Sequence, residues 1–338
     1  MFDILIINNC PSFYKINLYN EIAKYKKIFV VFSGISDQVV FKKDFKANFE
    51  YVLLNDFQVE QRNKMKDLQA LWNIYKEVNP EKVIYGGYTM PEYILLSYLV
   101  PQGKNILQTE SGIESSTDGI GARVKKILLR RFSLALVSGA LHQDVLKKLG
   151  YRGKIIITRG VGIINKPLHE KRINNIGKVK FLYVGRLIEI KNIRSLVSVF
   201  NKNGRSLTIV GSGPLEEALK DLIAPNITFA GRVANEKLKG VYQQHDVFIL
   251  PSLVEPWGLV LEEALYFGCA LAVSNKVSSI PELVTLPKTG VTFDPGNEDS
   301  IFDAVEDIAE KIEYYKNNVH KFSIDEKDSH QISCYLDL

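Results

Sequence analysis

The side chains best suited to chemistry lie in the C-terminal half of this 338-residue chain. Arg186 and Lys191 stand five residues apart, where an apolar stretch gives way to a helix-compatible one. A guanidinium and an ammonium at that spacing on a strand-to-helix loop can converge on one anion, and a diphosphate fits both charges. The alternative for such a pair is a solvated loop without a ligand.

Two glutamates form the second candidate group. A strand ends at residues 251–252, the loop after it carries Glu255, and a helix that begins near Gly258 carries Glu263 on its second turn. The carboxylates, roughly 10 Å apart at 1.5 Å rise per residue plus the loop, suit the hydroxyls of a sugar and of a ribose. The free amides at the helix start then face phosphate. The alternative for Glu255 is a residue that caps the helix N-terminus, and the alternative for Glu263 is a surface helix residue. Glu262 lies about 100° from Glu263 around the helix and is predicted to face solvent.

A glycine-rich turn at residues 211–214 follows another apolar stretch. Gly211 and Gly213 permit close backbone approach, and Pro214 suits the first turn of a helix whose free amides attract anions. Such a turn equally serves simple chain reversal. A full G-x-G-x-x-G is absent here and at residues 160–162, which argues against a nicotinamide dinucleotide site.

Short apolar strands alternate with amphipathic helices along the whole chain. This alternation predicts parallel sheets with crossover helices, and it is interrupted at Gly160–Lys178, a predicted linker. We therefore predict an α/β protein of two doubly wound domains, residues 1–165 and 166–316, followed by a tail, 317–338, to which we assign no structure. The predicted strands are Asp3–Asn8, Ile28–Ser33, Tyr51–Leu54, Lys82–Tyr85, Asn105–Gln108, Leu134–Val137, Lys154–Thr158, Val179–Val184, Ser206–Val210, Asn226–Ala230, Val247–Leu250, Ala270–Ser274 and Val291–Phe293.

Composition excludes several classes of protein. Hydrophobic residues make up 46% and charged residues 24%, values typical of a folded globular chain, and no apolar run approaches the roughly 18 residues of a spanning helix. The first ten residues lack a basic region and a cleavage site, so they predict a buried strand and a cytoplasmic protein. Three scattered cysteines and five histidines without ligand spacing predict neither a disulfide framework nor a metal site.

Charge is distributed unequally along the chain. Residues 1–166 carry 24 basic and 15 acidic side chains, whereas residues 167–338 carry 19 and 23. The stretch Arg123–Phe132 places five basic residues among apolar ones, as in an interfacial helix on anionic lipid, although a core-facing helix with a basic solvent side has the same composition. No aromatic-interleaved basic platform accompanies it, so nucleic acid is not a predicted partner.

The motifs resemble those of a known family, the family 4 retaining glycosyltransferases, over nearly all of residues 179–296. The resemblance implies the GT-B fold, in which two Rossmann-like domains face an interdomain cleft. The first domain binds the acceptor and the second the nucleotide-sugar donor, with no metal or other cofactor. The matching positions are Arg186-x4-Lys191, Gly211-Ser-Gly-Pro, Phe229-Ala-Gly231, Asp246-Val-Phe-Ile-Leu-Pro-Ser, Glu255-Pro-Trp-Gly-Leu-Val-x-x-Glu263-Ala, Gly268 and Gly290.

The resemblance also implies a role for each matched residue. Arg186 and Lys191 are expected to hold the donor diphosphate, Glu255 the hexose hydroxyls and Glu263 the ribose. The remaining expected donor contacts are backbone ones: Arg232 and Val233 to the base, and the amides of Gly258, Leu259 and Val260 to the phosphate or sugar.

The first half of the chain matches the family less closely. A Gly-Gly loop is common after the first strand of such enzymes, but here the stretch Asn8–Lys15 resembles a P-x-Y-R variant, with Lys15 expected to reach phosphate or acceptor. Many relatives carry a histidine that helps place the transferring sugar, and Glu110 stands in the corresponding region. A solvent-facing loop glutamate is the alternative for Glu110.

These observations predict a metal-independent retaining glycosyltransferase. It would move a sugar from a nucleotide-diphosphate donor to a lipid-linked or saccharide acceptor in cell-surface polysaccharide or lipopolysaccharide assembly, at the inner face of the plasma membrane. A nucleotide-sugar epimerase of GT-B type and a non-catalytic subunit of a glycan-assembly complex remain alternatives.

Overall fold

The protein folds into two compact α/β units. The computed structural model describes residues 1–36, 46–168 and 178–338, so residues 169–177 of the predicted linker lie outside the described residues. One unit joins Met1–Asn165 with Glu326–Leu338, and the other is Lys166–Asp325.

A parallel seven-stranded sheet forms the centre of the first unit, with strand order β3-β2-β1-β4-β5-β6-β7. Its strands are β1 Ile4–Asn8, β2 Ile28–Phe32, β3 Glu50–Leu53, β4 Lys82–Gly86, β5 Asn105–Thr109, β6 Leu134–Val137 and β7 Lys154–Ile157. Its helices are α1 Phe13–Ile22, α2 Lys64–Val78, α3 Pro91–Leu99, α4 Gly119–Leu129 and α5 Ala140–Lys148. Successive strand residues point to opposite faces and both faces are covered, so Leu5 and Ile7 enter one core and Ile4 and Ile6 the other.

The second unit repeats this architecture with a parallel six-stranded sheet, in the order β10-β9-β8-β11-β12-β13. Its strands are β8 Lys180–Val184, β9 Ser206–Val210, β10 Ile227–Gly231, β11 Val247–Leu250, β12 Ala270–Ser274 and β13 Gly290–Phe293. Its helices are α6 Ile193–Asn203, α7 Glu216–Lys220, α8 Asn235–Gln243, α9 Leu259–Tyr266, α10 Glu298–Glu310 and α11 Ile312–Lys321. The last helix, α12 Ile324–Leu336, belongs to the first unit from Glu326 onward. Two Rossmann-like parallel-sheet units are present, as predicted.

One predicted helix begins later than its apolar pattern suggests. The sequence predicts helical structure over Val59–Val78, but Val59–Gln61 form only a 3₁₀ turn and α2 begins at Lys64. Asn63 ends the turn, because its side chain accepts hydrogen bonds from the amides of Met65 and Lys66, both at 3.1 Å. This N-cap satisfies two amides that have no acceptor within the helix.

The segment from residue 317 onward, to which the sequence analysis assigns no structure, is helical. It completes α11 and forms α12, whose Cys334 and Tyr335 pack in a core cluster of the first unit. Gln331 on the same helix is fully buried and Lys327 is nearly so. Because polar as well as apolar positions of α12 are buried, its apolar periodicity is too weak to be recognised in the sequence.

A buried ion pair ties α11 to the second unit. The Lys316 ammonium lies 2.5 Å from a carboxylate oxygen of Asp246, and the other oxygen accepts a 2.9 Å hydrogen bond from the Lys180 amide. Both side chains are less than a tenth exposed. In the structure the second unit ends at Asp325, whereas the sequence analysis places its end at residue 316.

Replacing Lys316 by alanine should destabilise the second unit by about 3–5 kcal/mol, because the Asp246 carboxylate stays buried without its cation. Urea unfolding followed by circular dichroism measures the change. Lys311→Ala is the matched control, since Lys311 pairs with Asp307 at the protein surface and should leave the midpoint unchanged. Equal midpoints for the two variants would show that the buried pair contributes nothing.

Candidate functional site

The predicted donor residues meet at one edge of the second sheet. Carboxyl ends of parallel strands lie at the same edge, which is where ligands of open α/β sheets bind. Arg186 follows β8, Gly211 follows β9, Arg232 follows β10 and Glu255 follows β11. The parallel order therefore brings together residues that are far apart in sequence.

Lys191 and Glu255 are in direct contact. The Lys191 ammonium forms an ion pair with a carboxylate oxygen of Glu255, and the two side chains are 16% and 14% exposed. A backbone hydrogen bond of 2.9 Å from the Leu253 amide to the Ile190 carbonyl joins their two loops. The cation predicted for the diphosphate and the acid predicted for the hexose thus form one group.

Backbone pairing with the loop after β12 fixes the position of Glu255. The Glu255 amide donates to the Lys276 carbonyl at 3.3 Å, and the Glu255 carbonyl accepts from the Ser278 amide at 3.0 Å. Glu255 and Val277 form a parallel β-bridge through these contacts. The carboxylate therefore projects from an ordered backbone.

Arg186 lies on the same strand edge and is exposed. Its guanidinium has no ion-pair or hydrogen-bond partner among the described residues. The Tyr183 hydroxyl donates a 3.0 Å hydrogen bond to the Arg186 carbonyl, which fixes the backbone beneath the side chain. Burial raises the pKa of Tyr183, the Glu255 carboxylate raises it further, and Arg186 lowers it, so both charges act on the Tyr183 ring hydroxyl.

Gly211 and Gly213 lie against the backbone of the loop that carries Arg186. A Cβ on Gly211 would lie 1.8 Å from the Gly185 carbonyl oxygen, and one on Gly213 would lie 2.4 Å from that of Leu187. The Leu187 amide also donates a 3.0 Å hydrogen bond to the Ser212 carbonyl. Both glycines therefore position the loop that carries Arg186, while their predicted contact with phosphate stays a prediction.

The start of α9 supplies the predicted backbone amides. Gly258 is the N-cap residue in a left-handed conformation, with φ of 83°. Leu259 and Val260 occupy the first helical turn, where amides have no acceptor within the helix. The sequence-predicted helix start is thus reproduced, and the turn needs glycine at position 258 because side chains strain this backbone.

Glu263 lies on α9 beneath a tyrosine. Its carboxylate accepts a 3.0 Å hydrogen bond from the hydroxyl of Tyr242 on α8. Burial raises the pKa of the Glu263 carboxyl, the Tyr242 hydrogen bond offsets part of that rise, and nearby Glu262 adds to it. In the absence of ligand, holding the charged carboxylate in this position lowers the stability of the folded protein.

The prediction that Glu262 faces solvent is wrong. Glu262 is fully buried and accepts a 2.6 Å hydrogen bond from the indole nitrogen of Trp257, which is itself 3% exposed. The Ser279 hydroxyl donates to the Trp257 carbonyl at 2.5 Å. The helical angle alone does not predict this burial. The loop before α9 places Trp257 against the first helical turn, and the indole covers the face that carries Glu262.

Arg232 and Val233 follow β10, the edge strand of the sheet. Arg232 is exposed and Val233 is half-buried. They lie at the same carboxyl edge as Arg186, and their predicted backbone contact with a base stays a prediction.

Replacing Glu263 by glutamine should stabilise the ligand-free protein at neutral pH. The raised pKa means that the charged carboxylate is penalised in the folded state above its unfolded pKa, while glutamine keeps an oxygen for Tyr242. The gain should vanish as pH falls through the folded pKa, because wild-type Glu263 then becomes neutral.

Differential scanning fluorimetry across pH 4–8 measures this effect, at about 2–4 °C per kcal/mol for a unit of this size. Glu236→Gln, at an exposed position in the first turn of α8, is the control and should show no such pH dependence. A Glu263→Gln midpoint below that of wild type at neutral pH would contradict the prediction.

The two candidate residues of the first unit also meet. The Lys15 ammonium lies 3.0 Å from the Glu110 carboxylate and donates a 3.1 Å hydrogen bond to the Asn8 side-chain oxygen. They line a cavity of about 260 Å³ at the carboxyl ends of β1, β4 and β5. Burial is the largest single influence and lowers the pKa of Lys15, but Glu110, Tyr14 and Tyr19 together raise this pKa by more, so the ammonium stays charged.

Sequence reasoning missed several residues that shape these sites. Tyr242, which holds Glu263, lies on a helix without a recognised motif. Tyr88 and Gln108 line the cavity of the first unit and are almost fully buried, and the Gln108 side-chain oxygen has no hydrogen-bond partner among the described residues. Their positions at the ends of β4 and β5 were the available signal, because strand-end residues of a parallel sheet face its ligand edge.

No three histidine, cysteine or acidic side chains are grouped as metal ligands in the described part of the chain. None of the described helices is long and apolar enough to cross a membrane.

Comparison with known proteins gives a family match for the C-terminal region. Residues 166–331 match the family described as glycosyl transferases group 1. An uncharacterized glycosyltransferase of Methanocaldococcus jannaschii is 31% identical over 185 residues, which cover 51% of this chain and 44% of the relative. The chain spans about half the length of the first curated relatives it matches.

Two solved structures resemble the chain over almost all of its length. The apo form of the lipopolysaccharide outer core galactosyltransferase WaaB matches with a TM-score of 0.73 and 14% identity, covering 99% of this chain and 100% of WaaB. Anabaena HepE in complex with UDP matches with a TM-score of 0.71 and 12% identity, over 99% and 100% of the two chains. Identities this low show the fold alone. Residues 166–331 are therefore similar to the glycosyl transferases group 1 family, in a chain with the GT-B fold.

Proposed function

We propose that this protein is a retaining, metal-independent glycosyltransferase that moves a sugar from a nucleotide-diphosphate sugar to a lipid-linked or saccharide acceptor. The observation that carries the proposal is the Lys191–Glu255 ion pair at the same strand edge as the exposed guanidinium of Arg186. One strand edge thus carries a paired cation and acid, Lys191 and Glu255, and an unpaired cation, Arg186. These charges suit a ligand in which a diphosphate is joined to a hydroxylated ring.

Departure of the nucleoside diphosphate builds negative charge on its terminal phosphate. In the proposal Arg186, Lys191 and the first amides of α9 stabilise this charge more in the transition state than in the bound donor. No metal ion is needed for that task when two cations and a helix N-terminus share it. The acceptor hydroxyl oxygen bonds to the anomeric carbon on the face that the phosphate leaves, as the bond to the phosphate oxygen breaks and the hydroxyl proton passes to the departing phosphate. Attack on this face accounts for retention of configuration.

Recognition of the donor is divided between two acids. Glu255 accepts hydrogen bonds from the hexose hydroxyls, which requires that Lys191 turns from the acid toward the phosphate when donor binds. Glu263, already oriented by Tyr242, accepts from the ribose hydroxyls. The backbone of Arg232 and Val233 contacts the base, and UDP in the HepE structure supports a nucleoside diphosphate as the ligand class.

The acceptor is assigned to the cavity of the first unit. Glu110 faces it with its charge balanced by Lys15, so the carboxylate can accept from a sugar hydroxyl without an excess negative charge. Because Asn8 and Glu110 already hold the Lys15 ammonium, we propose Lys15 as the residue that positions Glu110. The name of WaaB supports cell-surface polysaccharide or lipopolysaccharide assembly. The basic and apolar composition of Arg123–Phe132 is the reason for placing the protein at the inner face of the plasma membrane in this proposal.

The test is incubation of the purified chain with a panel of UDP-, GDP- and other nucleotide sugars. Thermal shift reports donor binding, and slow release of nucleoside diphosphate in the absence of acceptor reports cleavage. We expect one donor to raise the unfolding midpoint and to be hydrolysed slowly. Conversion of the sugar without nucleotide release would instead show an epimerase, and stabilisation by no nucleotide sugar would show a non-catalytic subunit.

A further inference from the structure

The cavity of the first unit contains a buried amide that the proposed reaction does not use. Gln108, on β5, is 5% exposed and lines this cavity. Its side-chain oxygen has no hydrogen-bond partner among the described residues. A buried polar atom without a partner is unfavourable in the folded protein, and a ligand that donates a hydrogen bond to it removes that penalty. Gln108 is therefore positioned to recognise a ligand in the cavity.

The backbone beside Gln108 leaves room for such a ligand. Gly86 of β4 is paired with Gln108 in the sheet, and Gly87 follows with a φ of 117°, a conformation that favours glycine. A Cβ at Gly87 would have no atom within 4 Å beyond its chain neighbours, so the space there is open. Both glycines line the cavity, whose volume is about 260 Å³. Pockets for drug-sized ligands measure roughly 300–1,000 Å³, so this smaller cavity suits a single sugar ring.

The charged side chains around the cavity are unfavourable for an anion. The lining residues include one cation, Lys15, and two acids, Glu110 and Glu114. Lys15 already pairs with Glu110 at 3.0 Å and donates to the Asn8 side-chain oxygen at 3.1 Å. Glu114 is exposed and accepts a 3.0 Å hydrogen bond from the Gly112 amide. An anionic ligand would thus meet two negative charges and a cation that is already neutralised.

Hydrogen-bond chemistry favours the same kind of ligand. A sugar hydroxyl both donates and accepts, so it can bond to either end of the Gln108 amide and can donate to the Glu110 carboxylate. An ionised carboxylate only accepts. It could bond to the amide nitrogen, but it would leave the Gln108 oxygen without a donor and would be repelled by Glu110. An uncharged ring that carries hydroxyls satisfies both residues.

We infer that the cavity of the first unit selects an uncharged hexose and rejects acidic sugars, and that Gln108 recognises a hydroxyl of this hexose. The inference rests on the proposed function for the assignment of this cavity to the acceptor. It adds the chemical class of the acceptor sugar and the residue that determines this specificity. Any phosphate of a lipid-linked acceptor then lies outside the cavity.

Matched pairs of methyl glycosides test the inference on the full chain. We compare the methyl glycosides of glucose, galactose and mannose with the same glycosides oxidised to a carboxylate at C6. Saturation-transfer difference NMR at neutral pH measures the affinity of each compound. At least one neutral glycoside should bind at least about tenfold more tightly than its own acidic counterpart. This comparison is made on wild type, so it does not depend on the folding of a variant.

Two variants assign the selection to particular residues. Gln108→Met keeps the length of the side chain but lacks the amide, and it should weaken binding of the neutral glycoside about tenfold. Glu110→Gln removes one acid and releases the Lys15 ammonium, so the preference for the neutral glycoside should be lost. Gln69→Met, at an exposed position of α2, is the matched control and should bind as wild type does. Circular dichroism confirms that the variants are folded.

The inference is overturned if no neutral glycoside binds, if each acidic glycoside binds as tightly as its neutral counterpart, or if Gln108→Met binds as Gln69→Met does. The proposed function has a separate test, because release of nucleoside diphosphate without acceptor does not require this selection. Selective binding of neutral glycosides by a chain that cleaves no donor would uphold the inference and reject the proposed function. Cleavage of donor by a chain that prefers the acidic glycosides would do the reverse.

Discussion

Replacing Arg186 by alanine should lower kcat/KM for the nucleotide-sugar donor by about 10²–10³-fold, the effect of removing one preorganised group that stabilises developing negative charge. The side chain is exposed at the strand edge and has no partner among the described residues, so its loss leaves the surrounding fold intact. Donor consumption under single-turnover conditions, with calorimetry for nucleoside diphosphate affinity, measures the change.

Two variants make this result specific. Arg194→Ala removes a nearby guanidinium that contacts Glu189 on the surface, and it should leave kcat/KM within about twofold of wild type. Arg186→Lys keeps the charge but loses the planar fork, so it should recover only part of the activity. If Arg186→Ala and Arg194→Ala transfer sugar equally well, Arg186 does not contact the diphosphate.

Strand positions were accessible from the sequence because a buried parallel strand is a short, continuous apolar run. Val247–Leu250 and Ala270–Ser274, for example, are strands with the predicted ends. Helix starts were harder to predict, since Asn63 begins α2 through a capping contact that apolar periodicity does not contain. Residue 317 onward was not assigned because α12 buries polar side chains such as Gln331.

The candidate site was likewise only partly predictable from the sequence. The motif spacing predicted which residues follow the strands, and strand order then placed Arg186 and Glu255 at one edge without further information. Contacts between side chains were not predictable. The sequence did not indicate that Glu255 pairs with Lys191, that Glu263 is held by Tyr242, or that Glu262 is buried under Trp257. Each of these depends on how a loop folds back on its sheet.

Replacing Glu255 by glutamine should lower turnover about 10²-fold while leaving nucleoside diphosphate affinity unchanged or raised. In the ligand-free protein the Glu255 carboxylate neutralises Lys191, and a diphosphate must compete with it for the ammonium. Glutamine removes that competitor and so releases the cation for phosphate, but it holds the hexose hydroxyls with a neutral oxygen instead of a charged one. Calorimetric titration with nucleoside diphosphate and kcat with saturating donor separate the two effects.

The pair can be resolved further by a double-mutant cycle with Lys191→Met. Lys191→Met alone should weaken diphosphate binding and leave Glu255 as an unbalanced acid next to the phosphate. Adding Glu255→Gln should therefore restore part of the affinity but none of the turnover, with a coupling free energy of about 0.5–3 kcal/mol. Glu189→Gln, at an exposed position of the same turn, should change neither quantity. Additive effects on affinity would show that the ion pair does not regulate access of the diphosphate to Lys191, and that the two side chains bind the donor independently.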